Sequence, residues 1–349
     1  MRLLEETLLH IRDVDRDMER AARARVNNLA KPMGSMGRLE DLYVQLAAIT
    51  GELLPELEKK GIVVMSGDHG IVEEGIVTGR QEVTLIQTRN FVRGLTGVCA
   101  LAQAAGADII PVDVGIAAEG DIPGVRREKV RQGTANFTQG PAMNRAEAVA
   151  SLEAGIRVAR ELLGQGYGIL GTGEMGIGNT SPSSAILSVL TGADPEAVTG
   201  IGANLPAALM PRKIEVIRRG IALNRPDPQD PLDVLAKVGG LEIGGMAGVM
   251  LGCAACRRPV IVDGFISTVA ALLAVRLKPE ARSYMIPSHK SMEKGASLAS
   301  EALNFTPYLD LDMRLGEGTG AALMFGILDA AVSMSRQMAS FEGAGIAVV

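Results

Sequence analysis

One stretch decides the fold: Tyr167-Gly168-Ile169-Leu170-Gly171-Thr172-Gly173-Glu174-Met175-Gly176-Ile177-Gly178-Asn179-Thr180. Its first part, Tyr167–Leu170, is a short apolar run of the kind that forms a buried strand. A glycine-rich turn follows, and Asn179-Thr180-Ser181-Pro182 then predicts a helix start, because hydroxyl side chains cap helices and proline favours the first helical position. A strand, a glycine-rich loop and a helix in this order form the repeating unit of a parallel α/β sheet.

Four further apolar runs have the same character, since each ends in a turn of polar residues with glycine or proline. They are Ile62–Met65, Asp108–Val114, Val260–Val262 and Ser283–Ile286. Alanine-rich segments between the runs predict helices over Arg145–Leu163, Ser183–Leu190 and Phe265–Leu277. The pattern predicts an α/β fold with a doubly wound, mostly parallel Rossmann-like sheet and helices on both faces. Such sheets bind their ligands at the carboxyl ends of the strands.

The two ends of the chain differ from this repeat, because both are predicted to be helical and to lack strands. The first fifty residues have a helical period that is broken at Lys31–Gly37. We therefore expect a Rossmann-like catalytic domain over residues 46–315. A small helical accessory domain is expected from residues 1–45 together with residues 316–349.

Composition excludes two classes of protein. The chain has 349 residues with 35 basic and 40 acidic side chains, a formal net charge of −5, 3% aromatic residues and no tryptophan. A nucleic-acid-binding protein would need basic faces and stacking rings, so we expect no nucleic-acid partner. No apolar run reaches the ~18 residues of a membrane-spanning helix, and Met1–Glu19 lacks the pattern of a signal peptide. We expect no membrane contact and a cytoplasmic location.

Glycine is the unusual residue, with 42 of 349 positions against a typical ~7%. It clusters at 171–178, 200–202, 239–245 and 316–320, where we predict loops that let the backbone approach a ligand closely. Cys253 and Cys256 have the spacing of a redox or zinc pair, but the chain has no second such pair. We therefore expect packing thiols and no metal site.

The glycine cluster after the Tyr167–Leu170 run is a candidate phosphate-binding loop. Gly171, Gly173 and Gly176, with Asp194 about 20 residues later, match the dinucleotide fingerprint. The predicted helix starts too late for that motif, so NAD binding and a purely structural turn are the alternatives. We favour a loop for the phosphate of a mononucleotide, because a glycine-rich turn before a helix offers free N–H groups. Lys213 follows a second glycine-rich loop at 200–204 and would add a positive charge.

A glutamate between two glycines is the strongest candidate for a catalytic base. No neighbouring side chain shields Glu317, and its loop can hold the carboxylate against a bound ligand. We predict a general base. The alternative is a loop glutamate that caps a helix over Ala321–Ala331. His69 and His289 also follow strand candidates; either is a further candidate base, with hydrogen bonding inside the turn as the alternative.

Short motifs along nearly the whole chain together resemble one family, the nicotinate-nucleotide–dimethylbenzimidazole phosphoribosyltransferases of cobalamin nucleotide-loop assembly. No single run is specific to the family, but the runs occur in the family's order, and this makes the match as a whole specific. They are Lys31-Pro32 with Gly34-Ser35 and Gly37-Arg38-Leu39-Glu40, Asp68-His69-Gly70, Gly173-Glu174 with Gly176 and Asn179-Thr180, Gly200–Pro206, Lys237–Gly240, Asp263-Gly264-Phe265, Ile286–His289 with Ser291 and Glu293-Lys294-Gly295, and Met313–Ala322.

The resemblance implies transfer of phosphoribose from nicotinate mononucleotide to a lower-ligand base such as 5,6-dimethylbenzimidazole. Nicotinate leaves, with inversion at the anomeric carbon. Glu317 is implied as the general base, and Glu174 as a residue that orients the acceptor or assists Glu317. The implied substrate-binding residues are Gly176, Gly178, Asn179, Thr180, Gly202, Lys213 and Ser291 around the phosphate and ribose, Gln87 at the acceptor, and Asp263, Arg314 and Leu315. A homodimer without metal or other cofactor is implied as well.

One segment departs from the family's pattern. Thr78-Gly79-Arg80 stands where several members carry a serine-proline or similar pair, in a region that the resemblance places near the acceptor. The sequence therefore leaves open a purine or phenolic acceptor. It also leaves open a partner subunit that is a paralogue and, in a different class, a non-catalytic nucleotide-binding subunit.

Overall fold

A computed structural model describes residues 3–346, and one parallel sheet forms its centre. The strands are β1 (Lys60–Gly67), β2 (Ala107–Gly115), β3 (Arg126–Arg127), β4 (Ile169–Met175), β5 (Val260–Val262) and β6 (Met285–Pro287). Their order in the sheet is β3-β2-β1-β4-β5-β6 and all pairs are parallel, so the direction of winding reverses between β1 and β4. The predicted doubly wound Rossmann-like sheet is confirmed. Only β3 was not predicted, because two arginines form no apolar run.

Fourteen α-helices surround the sheet in the part of the chain that the structure describes. They are α1 (Leu3–His10), α2 (Arg16–Asn27), α3 (Arg38–Thr50), α4 (Glu82–Val92), α5 (Gly97–Ala105), α6 (Arg145–Gly164), α7 (Thr180–Thr191), α8 (Pro195–Val198), α9 (Met210–Asn224), α10 (Pro231–Val238), α11 (Leu241–Ala255), α12 (Phe265–Leu277), α13 (Ala296–Ala302) and α14 (Thr319–Gln337). The predicted break at Lys31–Gly37 separates α2 from α3. None of these helices is long and apolar enough to cross a membrane.

Strand β4 is longer than the sequence predicts, because Gly171 and Gly173 belong to the strand and not to the loop after it. A Cβ at Gly171 would come within 2.9 Å of the Cβ of Ala321 in α14. A Cβ at Gly173 would overlap the carbonyl oxygen of Glu317. The two glycines thus allow the start of α14 to lie directly on the centre of the sheet.

The glycines near residue 245 pack two helices together and do not form the ligand loop predicted at 239–245. Gly245 and Gly248 lie inside α11, which packs along α6. A Cβ at Gly248 would overlap the carbonyl of Leu152, and one at Gly155 would overlap the carbonyl of Gly245. Part of the glycine excess therefore serves close contact between helices instead of ligand binding.

Apolar side chains form one cluster on each face of the sheet. Met65 and Val262 pack with α6, α11 and α12 on one face, together with α1. Ile62 and Ile261 pack with α3 and α14 on the other face. Helices from the chain termini therefore cover both faces directly, and a separate accessory domain is not confirmed. The domain boundaries at 45/46 and 315/316 stay a prediction. Residues 1–2 and 347–349 of the predicted accessory domain lie outside the described residues.

The two cysteines of the predicted packing pair have different environments. Cys253 is fully buried in α11, and burial raises the pKa of its thiol well above the usual value, which disfavours the reactive thiolate. Cys256 follows the last residue of the helix and is exposed. Only Cys253 is therefore the inert packing thiol that the sequence predicts.

Gly173→Ala is expected to destabilise the protein, because the added methyl group would overlap the carbonyl of Glu317 and displace the start of α14. Overpacking of this kind costs about 1–3 kcal/mol, which urea unfolding measures. Gly164→Ala is the matched control, since a Cβ there meets no atom within 4 Å and alanine is favoured over glycine in a helix. An unchanged free energy of unfolding for Gly173→Ala would show that the contact between loop and strand is not tight.

Candidate active site

A cavity of about 700 Å³ opens beside the residues that follow β4, β5 and β6. This edge of the sheet, next to the reversal of winding, is where doubly wound folds bind ligands. Nearly all of the predicted site residues line the cavity; they are Gln87, Glu174, Gly176, Asn179, Thr180, Gly202, Asp263, Ser291, Arg314, Leu315 and Glu317. Gly178 and Lys213 instead line an adjoining cavity of about 70 Å³, whose wall includes Gly176, Asn179 and Thr180 as well.

Glu317 is held in a fixed orientation at the cavity wall. Its φ of +62° is in the left-handed region, and so are those of Gly316 and Gly318 on either side. The Gln87 Nε2 donates to Glu317 Oε1 at 2.7 Å, and the backbone N–H of Val98 donates to Oε2 at 3.3 Å. Val98 lies in the first turn of α5, where free N–H groups favour a negative charge. Both carboxylate oxygens of Glu317 are therefore oriented by hydrogen bonds from α4 and α5.

Asp263 caps the helix that follows Glu317. Its Oδ1 accepts hydrogen bonds from the N–H groups of Gly320 at 2.7 Å and Ala321 at 3.2 Å, and its Oδ2 accepts from that of Gly318 at 3.1 Å. Burial raises the pKa of this carboxyl, and the nearby His289 acts in the opposite direction. The alternative in which Glu317 itself caps α14 is wrong, because Asp263 holds that position. Asp263 lines the cavity, but its oxygens are engaged in holding the loop that carries Glu317.

Glu174 lies at the end of β4 and is a neutral carboxyl at pH 7. Burial raises its pKa to about 8, and the carboxylates of Glu242, Asp263 and Glu317 act in the same direction, against a hydrogen bond from Asn179. The predicted hydroxyl caps are wrong, because Thr180 and Ser181 lie inside α7. Asn179 occupies the N-cap position, but its amide donates to Glu174 Oε2 and makes no capping bond. The predicted helix start is close, since α7 begins at Thr180 and Pro182 is its third residue.

A buried lysine marks the other end of the site. Lys213 Nζ donates to Thr180 Oγ1 at 3.0 Å and to the carbonyl of Gly200 at 2.8 Å. An ammonium group has three N–H donors, so one is left for a ligand. Burial lowers the pKa of Lys213 to about 8, although the Glu293 carboxylate acts in the opposite direction. Together with the first turn of α7, this arrangement is suited to a phosphate.

The loop at residues 200–204 joins three parts of the site. Arg314 donates to the carbonyl of Gly202 at 3.2 Å and to Asn204 Oδ1 at 2.8 Å. Thr78 Oγ1 donates to the carbonyl of Ala203 at 2.6 Å. Thr78 and its neighbour Gly79 line the small cavity with Lys213, so the segment that departs from the family's pattern lies beside the lysine. Gln87, nine residues after Thr78 and inside α4, faces Glu317 in the main cavity.

Comparison with known proteins agrees with this geometry along the whole chain. A family model described as a phosphoribosyltransferase matches residues 11–346. The nicotinate-nucleotide–dimethylbenzimidazole phosphoribosyltransferase of Alkaliphilus metalliredigens is 53% identical over 349 residues, which cover 100% of both chains. That of Acetivibrio thermocellus is 48% identical over 344 residues, which cover 99% of this chain and 98% of the relative.

The chain belongs to this phosphoribosyltransferase family. A crystal structure of a family member from Thermus thermophilus superposes with a TM-score of 0.90 at 40% identity, and covers 96% of this chain and 100% of that one. The resemblance drawn from the ordered motifs is therefore confirmed, as is the enzyme class. The individual roles of the site residues stay predictions that the geometry supports.

The alternative of a dinucleotide-binding loop does not fit the geometry. Gly171 and Gly173 lie inside β4 and not in a turn that opens a helix. Asp194, which would bind a ribose in that motif, is outside the cavity: it caps α8 by accepting from the N–H of Glu196 at 2.8 Å and pairs with Arg218. The fingerprint is therefore a coincidence of spacing.

The two candidate histidines differ in position. His289 lines the cavity and its Nδ1 lies 3.8 Å from Asp263 Oδ1. His69 is buried and its Nε2 lies 2.9 Å from Glu242 Oε1. Burial opposes protonation of His69, but Glu242 raises its pKa overall. A histidine engaged in a buried ion pair is not free to serve as the base, so His69 is a structural residue behind the cavity.

Three polar residues that line the cavity were not predicted as site residues from the sequence; they are Asn204, Ser267 and Glu293. Asn204 has a φ of +62° and receives the hydrogen bond from Arg314. Asparagine after a glycine-rich loop was the available signal, since it tolerates left-handed backbone better than most residues. Glu293 belongs to the family-like run after Ile286–His289, but no spacing rule assigns a role to a carboxylate there.

Glu174→Gln should remove a pH dependence of stability. The pKa of Glu174 is raised from 4.5 to about 8 on folding, so the contribution of the neutral carboxyl is complete below pH 4.5 and is lost as the pH rises through about 8. At about 1.4 kcal/mol per pKa unit, wild type should lose roughly 3–6 kcal/mol more than Glu174→Gln between pH 4.5 and pH 9. Urea unfolding across this range measures the difference, with the exposed Glu301→Gln as the control. Parallel curves for wild type and Glu174→Gln would contradict the shift.

Proposed function

We propose that the enzyme transfers phosphoribose from nicotinate mononucleotide to 5,6-dimethylbenzimidazole, giving α-ribazole 5′-phosphate and nicotinate for cobalamin biosynthesis. Similarity to enzymes of that name over the whole chain supports this reaction. One observation of the site gives the strongest support for this reaction. A fixed carboxylate, Glu317, and a phosphate-binding end at Lys213 lie on two sides of adjoining cavities, as a two-substrate transfer requires.

The proposed chemistry needs a base and a phosphate anchor but no activating group on the donor. The pyridinium ring of nicotinate mononucleotide is already a cationic leaving group. The C1′–N bond breaks and its electron pair neutralises the pyridinium, while an acceptor nitrogen forms the new bond to C1′ from the opposite face. The ring N–H of the acceptor becomes acidic during this attack, and Glu317 accepts the proton. Direct displacement explains the inversion at the anomeric carbon.

Gln87 is proposed to aim the base and to line the acceptor side. Its amide fixes Glu317 Oε1, and the N–H of Val98 fixes Oε2, so the carboxylate does not have to reorganise as the acceptor binds. Leu315, which lies two residues before the base in the chain and also lines the cavity, provides an apolar surface for a flat acceptor. Glu174, neutral at pH 7, can donate a hydrogen bond where an ionised carboxylate would only accept one.

The phosphate of the donor is proposed to bind between α7 and the 200–204 loop. Two donors are available there, the remaining N–H of Lys213 and the backbone N–H of Thr180 at the start of α7. The N–H of Ser181 already donates to the carbonyl of Gly178, and Pro182 has none. Gly178, with a φ of +93°, and Gly202, with a φ of +55°, adopt backbone that favours glycine. A Cβ at Gly202 would lie 2.9 Å from Thr180 Oγ1 and 3.5 Å from Lys213 Nζ, so a side chain would crowd the anchor.

Assembly, compartment and acceptor range are further parts of the proposal. The homodimer and the cytoplasmic location implied from the sequence stay predictions. A purine or phenolic acceptor also stays a prediction, because a carboxylate base would accept a proton from either. A non-catalytic subunit is the different-class alternative, which the following variant separates from an enzyme.

Glu317→Gln is expected to lower the rate of nicotinate release by about 10²–10⁴-fold, since an amide cannot accept the acceptor's proton. The amide keeps the size of the side chain, so nicotinate mononucleotide should bind with nearly unchanged affinity in calorimetry. The exposed Glu301→Gln serves as the control for both measurements. Near-normal turnover by Glu317→Gln would show that Glu317 is not the base, and tight NAD binding without affinity for nicotinate mononucleotide would overturn the reaction.

Lys213→Ala is expected to raise the KM for nicotinate mononucleotide by roughly 10- to 100-fold, because a charge-assisted hydrogen bond to phosphate is lost. The KM for 5,6-dimethylbenzimidazole should change little. Lys290→Ala is the matched control, since Lys290 is exposed and pairs only at the surface with Asp310. Steady-state kinetics with each substrate varied in turn measure the effect, and an equal rise in both KM values would argue against a phosphate role.

A further inference from the structure

The Glu293 carboxylate is an unsatisfied charge in the wall of the main cavity. Glu293 is 9% exposed, and its Oε2 is buried without a hydrogen-bond partner among the described residues. No hydrogen bond or ion pair in residues 3–346 engages its other oxygen. Burying a carboxylate without donors is costly, and the free energy is recovered only when a ligand supplies them. The residue is thus prepared for a group that carries hydrogen-bond donors.

The position of Glu293 relates it to the phosphate anchor. Glu293 and Lys213 approach the same residue, Gly200, from two sides. A Cβ at Gly200 would overlap Glu293 Oε2, whereas the carbonyl of Gly200 accepts the hydrogen bond from Lys213 Nζ at 2.8 Å. The N–H of Glu293 donates to Ser291 Oγ at 3.3 Å, which also lines the cavity. The Glu293 carboxylate, which can accept hydrogen bonds, therefore lies on the other side of Gly200 from Lys213, where phosphate is proposed to bind.

We propose that Glu293 binds the 2′- and 3′-hydroxyl groups of the donor's ribose and thereby selects ribonucleotide donors. This inference rests on the proposed phosphoribosyl transfer. A vicinal diol offers two O–H donors, and each carboxylate oxygen has two lone pairs, so the Glu293 oxygen that is not buried against Gly200 can accept from both hydroxyl groups. Carboxylates at the strand ends of doubly wound sheets bind ribose hydroxyls in the same way. With the phosphate at Lys213 and the diol at Glu293, the anomeric carbon is directed towards the cavity that holds Glu317.

A purely electrostatic role for Glu293 predicts a different pattern. The carboxylate raises the pKa of Lys213 against the effect of burial, so it could act only by keeping the ammonium charged. However, no direct ion pair joins the two side chains in the described residues, and Lys213 is held by Thr180 and Gly200. An effect through Lys213 would depend on the phosphate of the ligand and not on the hydroxyl groups of its ribose.

The test compares wild type with Glu293→Gln by calorimetry at pH 7, with nicotinate mononucleotide and its 2′,3′-dideoxy analogue as ligands. Glu293→Gln should weaken binding of nicotinate mononucleotide by roughly 10- to 100-fold, the range for hydrogen bonds to a charged group. Binding of the dideoxy analogue should change less than about threefold, since it offers no hydroxyl donors. Glu301→Gln is the matched control, and unfolding curves check that Glu293→Gln is folded.

A third ligand, nicotinate riboside, separates the hydroxyl role from the electrostatic one. The riboside lacks the phosphate, so an unchanged affinity for it in Glu293→Gln would assign the effect to Lys213 and overturn the proposal. Equal losses for the ribose and dideoxy ligands would overturn it as well, because they indicate a structural role. A separate measurement tests the proposed function. If wild type binds nicotinate mononucleotide but releases no nicotinate when 5,6-dimethylbenzimidazole is added, the proposed reaction is wrong, whatever Glu293 does.

Discussion

The site depends on the close approach of a loop backbone to the centre of the sheet. At Gly173 the carbonyl of Glu317 occupies the space that any side chain would fill. This contact brings a residue from the last tenth of the chain beside the carboxyl ends of β1 and β4. Asp263 then accepts three N–H groups from the same loop and the start of α14. The contact sets the position of the loop, and the hydrogen bonds maintain it.

Charge is distributed unevenly along the two cavities. The carboxyl groups of Glu174, Asp263, Glu293 and Glu317 line the main cavity together with the Arg314 guanidinium, whereas Lys213 lies in the small one. Nicotinate mononucleotide carries a pyridinium ring with a carboxylate at one end of its ribose and a phosphate at the other. The pyridinium cation suits the carboxyl groups of the main cavity, and the phosphate suits Lys213. Burial keeps Glu174 neutral at pH 7 because its pKa is about 8, and this lowers the repulsion among the four acids.

Sequence patterns predicted most of the fold correctly where a local rule exists. Apolar runs located five of the six strands, and helical periodicity located α6 and α12. Patterns failed where a residue's role depends on a distant neighbour. Gly173 was predicted in a loop but pairs with Val64 in the sheet, and Glu317 approaches it so closely that only glycine fits. Gly245 was also predicted in a loop but lies inside α11, where its carbonyl packs against Gly155 of α6. Thr180 looks like a hydroxyl cap, but it lies inside α7 and its hydroxyl accepts a hydrogen bond from Lys213 instead.

The sequence by itself determined the repeating order of strand, loop and helix and the family to which the chain belongs, because both are recorded in short runs and their order. Only the tertiary structure decided what each acidic residue of the site does. Glu174, Asp263 and Glu317 each stand beside a glycine in the sequence, and the local pattern does not show which partners each carboxyl group has. The structure does: Glu317 is aimed by Gln87, Asp263 is occupied by the start of α14, and Glu174 is desolvated. Each of those partners or surroundings comes from distant parts of the chain.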